Sequence, residues 1–213
     1  MELVRQKAYR KTYDIACDQL SRLPLEERAQ KAGVTLSGGK GCETIQVPSF
    51  DEIIELSIPG FSFHSSKSAN ITLTTKIILL HYLIHASGTP LTGELVTYED
   101  VPGCRSYAPV FERRVTKPLL SAFGYDRDAF GRAGASLRGL QTEFGDASFR
   151  LDAFPRVPIT FVLWEGDQDF PPSMKVLFDR TVHQYLPLED IVVVSKMAAT
   201  RILKEARKEY VEA

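Results

Sequence analysis

The amino-acid sequence predicts an α+β fold with a mixed or antiparallel sheet, helices at both termini and a central buried helix near residues 72–87. Strand-type runs cluster near residues 44–58 and 147–178, with helical patterns between and outside them. The run ITLTTKIILLHYLIH is apolar nearly all round, which is typical of a buried helix. Hydrophobic residues make up 44% of the chain and charged residues 25%, the balance of a globular protein.

Length and charge narrow the class of protein. A chain of 213 residues can bury a sizeable core, and no linker divides it, so we expect one globular domain over residues 1–213. The formal net charge of −1 offers no basic surface for nucleic acid. No apolar run approaches the roughly 20 residues that a membrane span needs, so we expect a cytoplasmic protein. Cys17, Cys42 and Cys104 fit neither a disulfide framework nor a CxxC metal site.

The N-terminal half combines helices with a hairpin. Residues 2–32 have helical spacing, interrupted at Pro24 and ended by Gly33, which predicts two helices. The segment SGGKG is predicted to be a flexible connector, because its spacing is not that of a phosphate-binding loop. ETIQV and DEIIELSI alternate around PSFD and predict a β-hairpin.

The C-terminal half adds strands and a long helix. LVTYEDV, over residues 95–101, predicts a strand, and two helical stretches follow, the first with a kink at Pro118. VPITFVLW has apolar residues on both faces and is predicted to be a central strand paired with MKVLFD, with EGDQDFPPS between them. From Leu186 onward the pattern is helical, with acids in the first turn and bases in the last.

His81 and His85 are the first candidate ligands. Their spacing of four residues places both imidazoles on one face of the apolar helix, about 6 Å apart at Cβ. A zinc hydrolase would need the HExxH pattern, which is absent. Either histidine could bind the metal of a haem-type or corrinoid cofactor, since such a site needs one imidazole and an apolar wall. The alternative is a pair of core histidines bonded to the backbone or to Tyr82.

A basic and aromatic cluster is the second candidate. Tyr107, Arg113 and Arg114 lie close in sequence, and either arginine could form a forked pair with a ligand carboxylate or phosphate. Internal pairing with Glu112 or with the acidic turn after Trp164 is the alternative. Cys104 lacks a nearby histidine signature, so a nucleophilic thiol is not favoured.

The acidic turn after Trp164 is the third candidate. Glu165, Asp167 and Asp169 alternate, and in an extended segment they would point the same way and could bind a cation. The spacing of a calcium loop is absent, so a solvated acidic turn or a contact with a partner protein is also open.

Several segments resemble a known family: LLHYLIHASGTPL, residues 107–111, and above all WEGDQDFPP, LFD and YLPLEDI. The resemblance covers about residues 16–203 and is to uncharacterised proteins of anaerobic bacteria and archaea. Members are sometimes joined to the iron–sulfur domain of corrinoid iron–sulfur proteins. The resemblance implies an anaerobic, metal-cofactor setting and supplies no catalytic residues.

We therefore expect a binding or accessory protein for a corrinoid or haem-type tetrapyrrole, with a non-enzymatic role favoured. His81 or His85 would lie near the metal, and Tyr107, Arg113 and Arg114 near the rest of the ligand. The alternative is a protein-interaction module that docks onto an oxidoreductase or methyltransferase subunit through Trp164 and its acidic turn. An iron–sulfur protein is a further possible partner, and the sequence leaves the oligomeric state open.

Overall fold

The computed structural model describes residues 2–39, 41–67 and 70–212, with side chains for residues 6–39, 41–67 and 70–208. Its helices and antiparallel strands confirm the predicted α+β class with helices at both termini. The chain groups into two compact units. Unit 1 comprises Met1–Pro90, Phe154–Arg156 and Gln184–Pro187; unit 2 comprises Leu91–Ala153, Val157–His183 and Leu188–Ala213. The single domain expected from the sequence stays a prediction.

Unit 1 begins with the two predicted helices, α1 (Glu2–Ser21) and α2 (Leu25–Ala32). Gly33 ends α2 with φ of 68°, a left-handed conformation that favours glycine. Its N–H donates to the carbonyl of Gln30 at 3.1 Å, which satisfies one of the free carbonyls at the helix end.

A four-stranded antiparallel sheet follows within the described part of unit 1, in the order β1-β2-β3-β4. The strands are β1 (Thr35–Gly39), β2 (Cys42–Ser49), β3 (Glu52–Ile58) and β4 (Ser62–Ser65). The predicted hairpin is confirmed as β2 and β3, in which buried Ile45 lies opposite buried Leu56. The expectation of a connector at SGGKG was wrong for its first residues, which belong to β1; Lys40 lies outside the described residues.

Helix α3 (Leu73–His85) is the predicted buried helix, and it packs against α1 and α2. Thr72 caps it, because its hydroxyl accepts the N–H of Thr75 at 3.2 Å. Six of its residues are buried: Ile77, Ile78, Leu79, Leu80, Tyr82 and Leu83.

Unit 2 contains a second sheet in the order β5-β9-β8-β7-β6, although the last residue of β7, Phe154, belongs to unit 1. Its strands are β5 (Leu95–Thr97), β6 (Leu140–Gln141), β7 (Ala147–Phe154), β8 (Val157–Trp164) and β9 (Ser173–Asp179). The middle strand β8 pairs with β9, and its five residues 159–163 are all buried, which confirms the predicted central pair. The strand predicted over residues 95–101 is shorter, since Tyr98–Asp100 form a 3-10 turn.

Four α-helices accompany this sheet in the described part of unit 2. They are α4 (Ala108–Phe111), α5 (Lys117–Phe123), α6 (Arg127–Ser136) and α7 (Leu188–Glu212). A chain of aromatic contacts joins Phe123, Phe130, Phe149 and Phe161, with centroid distances of 5.5, 4.7 and 5.9 Å. Among the described residues, no helix is long and apolar enough to cross a membrane.

Candidate functional site

A π-helical turn, Glu112–Thr116, interrupts the helical segment between α4 and α5. The N–H of Lys117 donates to the carbonyl of Glu112, five residues earlier, instead of four. Pro118 follows and has no N–H, so the regular hydrogen-bond ladder cannot run through it. Where the sequence predicts a kink at Pro118, the structure thus has a wider helical turn just before that residue. Single π-helical turns occur frequently at functional sites.

A groove of about 400 Å³ lies between this segment and β9, with all of its lining residues in unit 2. Residues 173–176 of β9 line it, together with the apolar side chains of Phe111 and Leu120. Four exposed charged side chains also line it: Glu99, Glu112, Lys117 and Lys175. The groove therefore combines an apolar lining with equal numbers of acidic and basic groups.

The groove exists because β5 is short. β5 pairs with β9 only as far as Thr97, opposite Leu177. The chain then turns away, and the ring of Tyr98 stacks on Phe111 with centroids 4.6 Å apart. The Tyr98 hydroxyl donates to the carbonyl of Leu188 at 3.2 Å, which holds the turn in place. Within the described part of the chain, residues 173–176 of β9 are consequently left without a strand on this side.

Three exposed aromatic residues lie at one end of the same sheet; we call Tyr125, Trp164 and Phe170 the aromatic surface. Tyr125 and Phe170 lie in two touching loops, and Trp164 is the last residue of β8, directly before the second loop. Tyr125 is 69% exposed, Phe170 71% and Trp164 37%. The N–H of Gly166 donates to the carbonyl of Gly124 at 2.8 Å and joins the loops. A Cβ atom at Gly166 would lie 2.5 Å from the Tyr125 ring, so glycine permits this close approach.

The acidic turn beside Trp164 is ordered by its own hydrogen bonds. The Asp167 carboxylate accepts the N–H of Phe170 at 2.7 Å and that of Asp169 at 2.8 Å, and these bonds lower the pKa of Asp167. The Glu165 carboxylate accepts the N–H of Arg127 at 3.0 Å and lies 3.7 Å from its guanidinium. The turn thus presents Phe170 from a fixed backbone.

These contacts do not form the cation site considered from the sequence. Glu165 is directed to Arg127 and Asp167 to its own turn, so the alternating carboxylates do not converge. Among the described side chains, residues 6–39, 41–67 and 70–208, no three His, Cys, Asp or Glu residues form a group that could hold a metal. The interaction role predicted for Trp164, Glu165, Asp167 and Asp169 stays a prediction.

His81 and His85 are brought side by side in unit 1, as their spacing predicted. Their ring centroids lie 6.1 Å apart, with the planes at 83°. His81 is half-buried and His85 is exposed. The groove beside β9 has no histidine in its lining. Metal or tetrapyrrole binding by this pair stays a prediction.

The basic cluster does not line the groove. Arg113 and Arg114 are exposed on the π-helical turn, Tyr107 is half-buried, and the lining cations are Lys117 and Lys175 instead. The ligand-binding role of the three predicted residues stays untested. Cys104 is buried, and burial raises the pKa of its thiol, which opposes a thiolate nucleophile.

Sequence reasoning missed the groove and the contribution of Tyr125 to the aromatic surface. Two signals pointed toward them. Pro118 within a helical pattern marks a distorted turn, and Pro171 and Pro172 just before MKVLFD mark where strand pairing must begin. The pairing of β5 with β9 joins residues 80 to 84 positions apart and has no local signal.

Comparison with known proteins gives a family without an assigned activity. No curated protein and no solved structure matches the chain. The family model for a domain of unknown function, DUF3786, matches residues 24–201, which include most of each unit and all the lining residues of the groove. The chain therefore belongs to the DUF3786 family.

Proposed function

We propose that this chain is a non-catalytic protein-interaction module that docks through the aromatic surface. The observation that carries the proposal is the exposure of Tyr125 and Phe170 on two adjoining, hydrogen-bonded loops and of Trp164 at the end of β8, where the second loop begins. Tyrosine and tryptophan are enriched among the residues that contribute most to protein–protein binding. An exposed group of large apolar side chains is a common mark of an interaction site.

Charge favours a basic partner. Residues 164–170 contain three carboxylates and no lysine or arginine, and the adjoining residues 124–128 add two aspartates and one arginine. Arg127 is the single basic residue of these two segments, and it lies 3.7 Å from Glu165 and 3.9 Å from Asp128, so the segments keep an excess of acidic groups. A partner that has an apolar contact site ringed by lysine or arginine would be attracted to this surface, and the opposite charges would fix its orientation on it.

The partner class in this proposal follows from the family resemblance. An oxidoreductase or methyltransferase subunit, or an iron–sulfur protein of anaerobic metabolism, is the partner that it implies, in a cytoplasmic setting. The tetrapyrrole hypothesis remains a second proposal, which rests on the adjacent rings of His81 and His85. The aromatic surface is preferred because its loop contacts hold exposed apolar groups ready for binding without a further ordering step.

Photocrosslinking from Phe170 tests the proposed function. A benzophenone amino acid placed at Phe170 in the full chain is expected to capture a specific protein in cells that naturally make this chain. The purified captured protein should bind the unmodified chain directly. Phe170→Ser should weaken that binding at least about tenfold, the effect of losing a central aromatic contact. Raising the salt concentration should weaken it further.

Leu140 supplies the matched control, because it is 57% exposed on the edge strand β6. The same crosslinker at Leu140 should not capture the protein, and Leu140→Ser should leave its affinity within about twofold. Equal capture from both positions, or an affinity unchanged by Phe170→Ser, would overturn the proposal.

A further inference from the structure

We propose that the partner of this chain supplies an extended segment that adds as a strand to the open edge of β9, in line with β5. This inference deepens the proposed function and rests on it. The edge lies next to the aromatic surface in the chain, since Phe170 is followed by Pro171, Pro172 and the first residue of β9. Strand addition to an exposed sheet edge is a recurring mode of peptide recognition.

The pairing of β9 with its neighbours identifies which main-chain groups face the groove. The N–H of Arg180 donates to the carbonyl of Glu94 at 2.9 Å, on the side of β5. Main-chain groups alternate between the two sides of a strand with a period of two. Phe178, Val176 and Met174 therefore direct their N–H and carbonyl groups to the side of β5.

The pairing of β9 with β8, its neighbour on the other side, independently shows which main-chain groups of β9 face outward. The carbonyl of Leu163 in β8 accepts the N–H of Asp146 at 2.9 Å, on the side away from β9. Trp164 and Val162 must then direct their main-chain groups toward β9, where they lie opposite Ser173 and Lys175. Ser173 and Lys175 pair with β8, and Met174 and Val176 face outward.

The outward groups of Met174 and Val176 have no strand opposite them within the described chain, because β5 reaches only to Leu177. Both residues are buried, and both line the groove. Buried main-chain donors and acceptors are nearly always paired in folded proteins. An extended peptide main chain supplies donors and acceptors at the spacing that this edge requires.

The groove also fits the side chains of an added strand. Alternate side chains of a strand point to opposite faces, so one set would lie toward Phe111 and Leu120, and the other toward exposed Lys175. Pro171 and Pro172 cannot donate to a ladder and end the edge at Ser173. The added segment therefore pairs with about four residues of β9, because Thr97 blocks the other end.

Amide exchange of the isolated protein tests the open edge without any partner. By NMR, the amides of Met174 and Val176 are expected to exchange with solvent deuterium at least about tenfold faster than those of Lys175 and Leu177, which are bonded within the sheet. Protection of Met174 and Val176 equal to that of Lys175 would mean that the edge is already covered, and would overturn the proposal.

Peptide binding tests the mode of recognition. Twelve-residue peptides selected from a random phage-displayed library on the wild-type chain provide the probe. Filling the groove with Ala108→Trp is expected to weaken their binding at least about tenfold. Ala122→Trp is the matched control: Ala122 is exposed on α5 and does not line the groove, so affinity should stay within about twofold.

Methylation of single peptide nitrogens tests strand addition on the wild-type chain, so the result does not depend on whether Ala108→Trp folds. Methylation at alternate peptide residues should weaken binding about tenfold, and methylation at the residues between should have little effect, because only alternate N–H groups face β9. A loss of affinity that does not alternate along the peptide would overturn strand addition. So would a selection in which no peptide loses affinity for Ala108→Trp.

The two proposals fail in different ways. A captured partner that depends on Phe170 but binds Ala108→Trp normally would overturn strand addition and leave the proposed function intact. The opposite outcome would overturn only the role of the aromatic surface. In that outcome, methylation at alternate peptide residues weakens peptide binding, and Phe170→Ser leaves the affinity of the captured partner unchanged.

Discussion

Replacing Tyr82 by alanine is expected to lower the free energy of unfolding by about 4 kcal/mol, as for other large aromatic residues deleted from a packed core. Tyr82 is fully buried, and its ring stacks on Phe154 with centroids 4.5 Å apart and planes at 14°. Its hydroxyl donates to the carbonyl of Ala32 and accepts the N–H of Arg156 at 3.2 Å. One side chain thus joins three segments of unit 1, each distant from the others in sequence.

Tyr82→Phe separates the ring from the hydroxyl. It should cost only about 1–2 kcal/mol, because the ring is kept while the Ala32 carbonyl and the Arg156 N–H lose their partner. Burial raises the pKa of Tyr82 well above its ordinary value, so the hydroxyl remains a donor at neutral pH. Urea-induced unfolding followed by far-ultraviolet circular dichroism measures both variants. A loss in Tyr82→Ala no larger than that in Tyr82→Phe would contradict the packing role of the ring.

The parts of the fold that were predicted correctly have strong local patterns. The two N-terminal helices follow from helical spacing and from Gly33, whose positive φ favours glycine. The pairing of β8 with β9 follows from a run of residues that is apolar on both faces. In each case the signal lies within about ten consecutive residues.

The elements that were missed depend on distant partners. β1 contains two glycines and β4 is short and polar, so neither has the pattern of a strand, and each forms only because β2 or β3 offers an edge. The same reason explains the groove, which is defined by where β5 stops pairing with β9. The four-residue spacing of His81 and His85 predicted that their rings would be neighbours. It could not predict the surface on which exposed aromatic residues gather.

The aromatic surface shows both the strength and the limit of sequence reasoning. Trp164 and the acidic turn were singled out because they interrupt two buried strands, and the structure leaves Trp164 partly exposed. Tyr125 lies about 40 residues earlier and reaches the same surface through the bond between Gly166 and Gly124. A single-sequence pattern contains no information on such a loop contact.

Replacing Asp179 by asparagine is expected to lower the free energy of unfolding by about 2–3 kcal/mol at pH 7, since hydrogen bonds to a buried charged group contribute this much. Asp179 is buried at the end of β9. Its carboxylate accepts the N–H groups of Gly93 and Thr181 at 2.7 and 3.0 Å, and the hydroxyl of Thr181 at 2.7 Å. Asparagine keeps only one acceptor oxygen, and its amide would face a donor.

The same variant should change the dependence of stability on pH. Burial alone would raise the pKa of Asp179, but the hydrogen bonds from Thr181, Gly93 and Thr92 outweigh burial and hold that pKa below its ordinary value. The stability from Asp179 is therefore fully present above the unfolded-state pKa of about 3.9 and is lost as the pH falls through the lower folded-state value. Asp179→Asn should show a shallower loss of stability between about pH 5 and pH 2 than the wild type.

Asp152→Asn is the control, because Asp152 is exposed on β7 and pairs with Arg150 at 3.0 Å on the surface. It should change the free energy of unfolding by less than about 0.5 kcal/mol. If the free energy of unfolding fell equally steeply with decreasing pH in the wild type and in Asp179→Asn, the assigned role of Asp179 would be contradicted. Asp179 holds the loop of Thr92 and Gly93 that leads into β5, so this carboxylate anchors the start of the strand that covers the remaining part of the β9 edge.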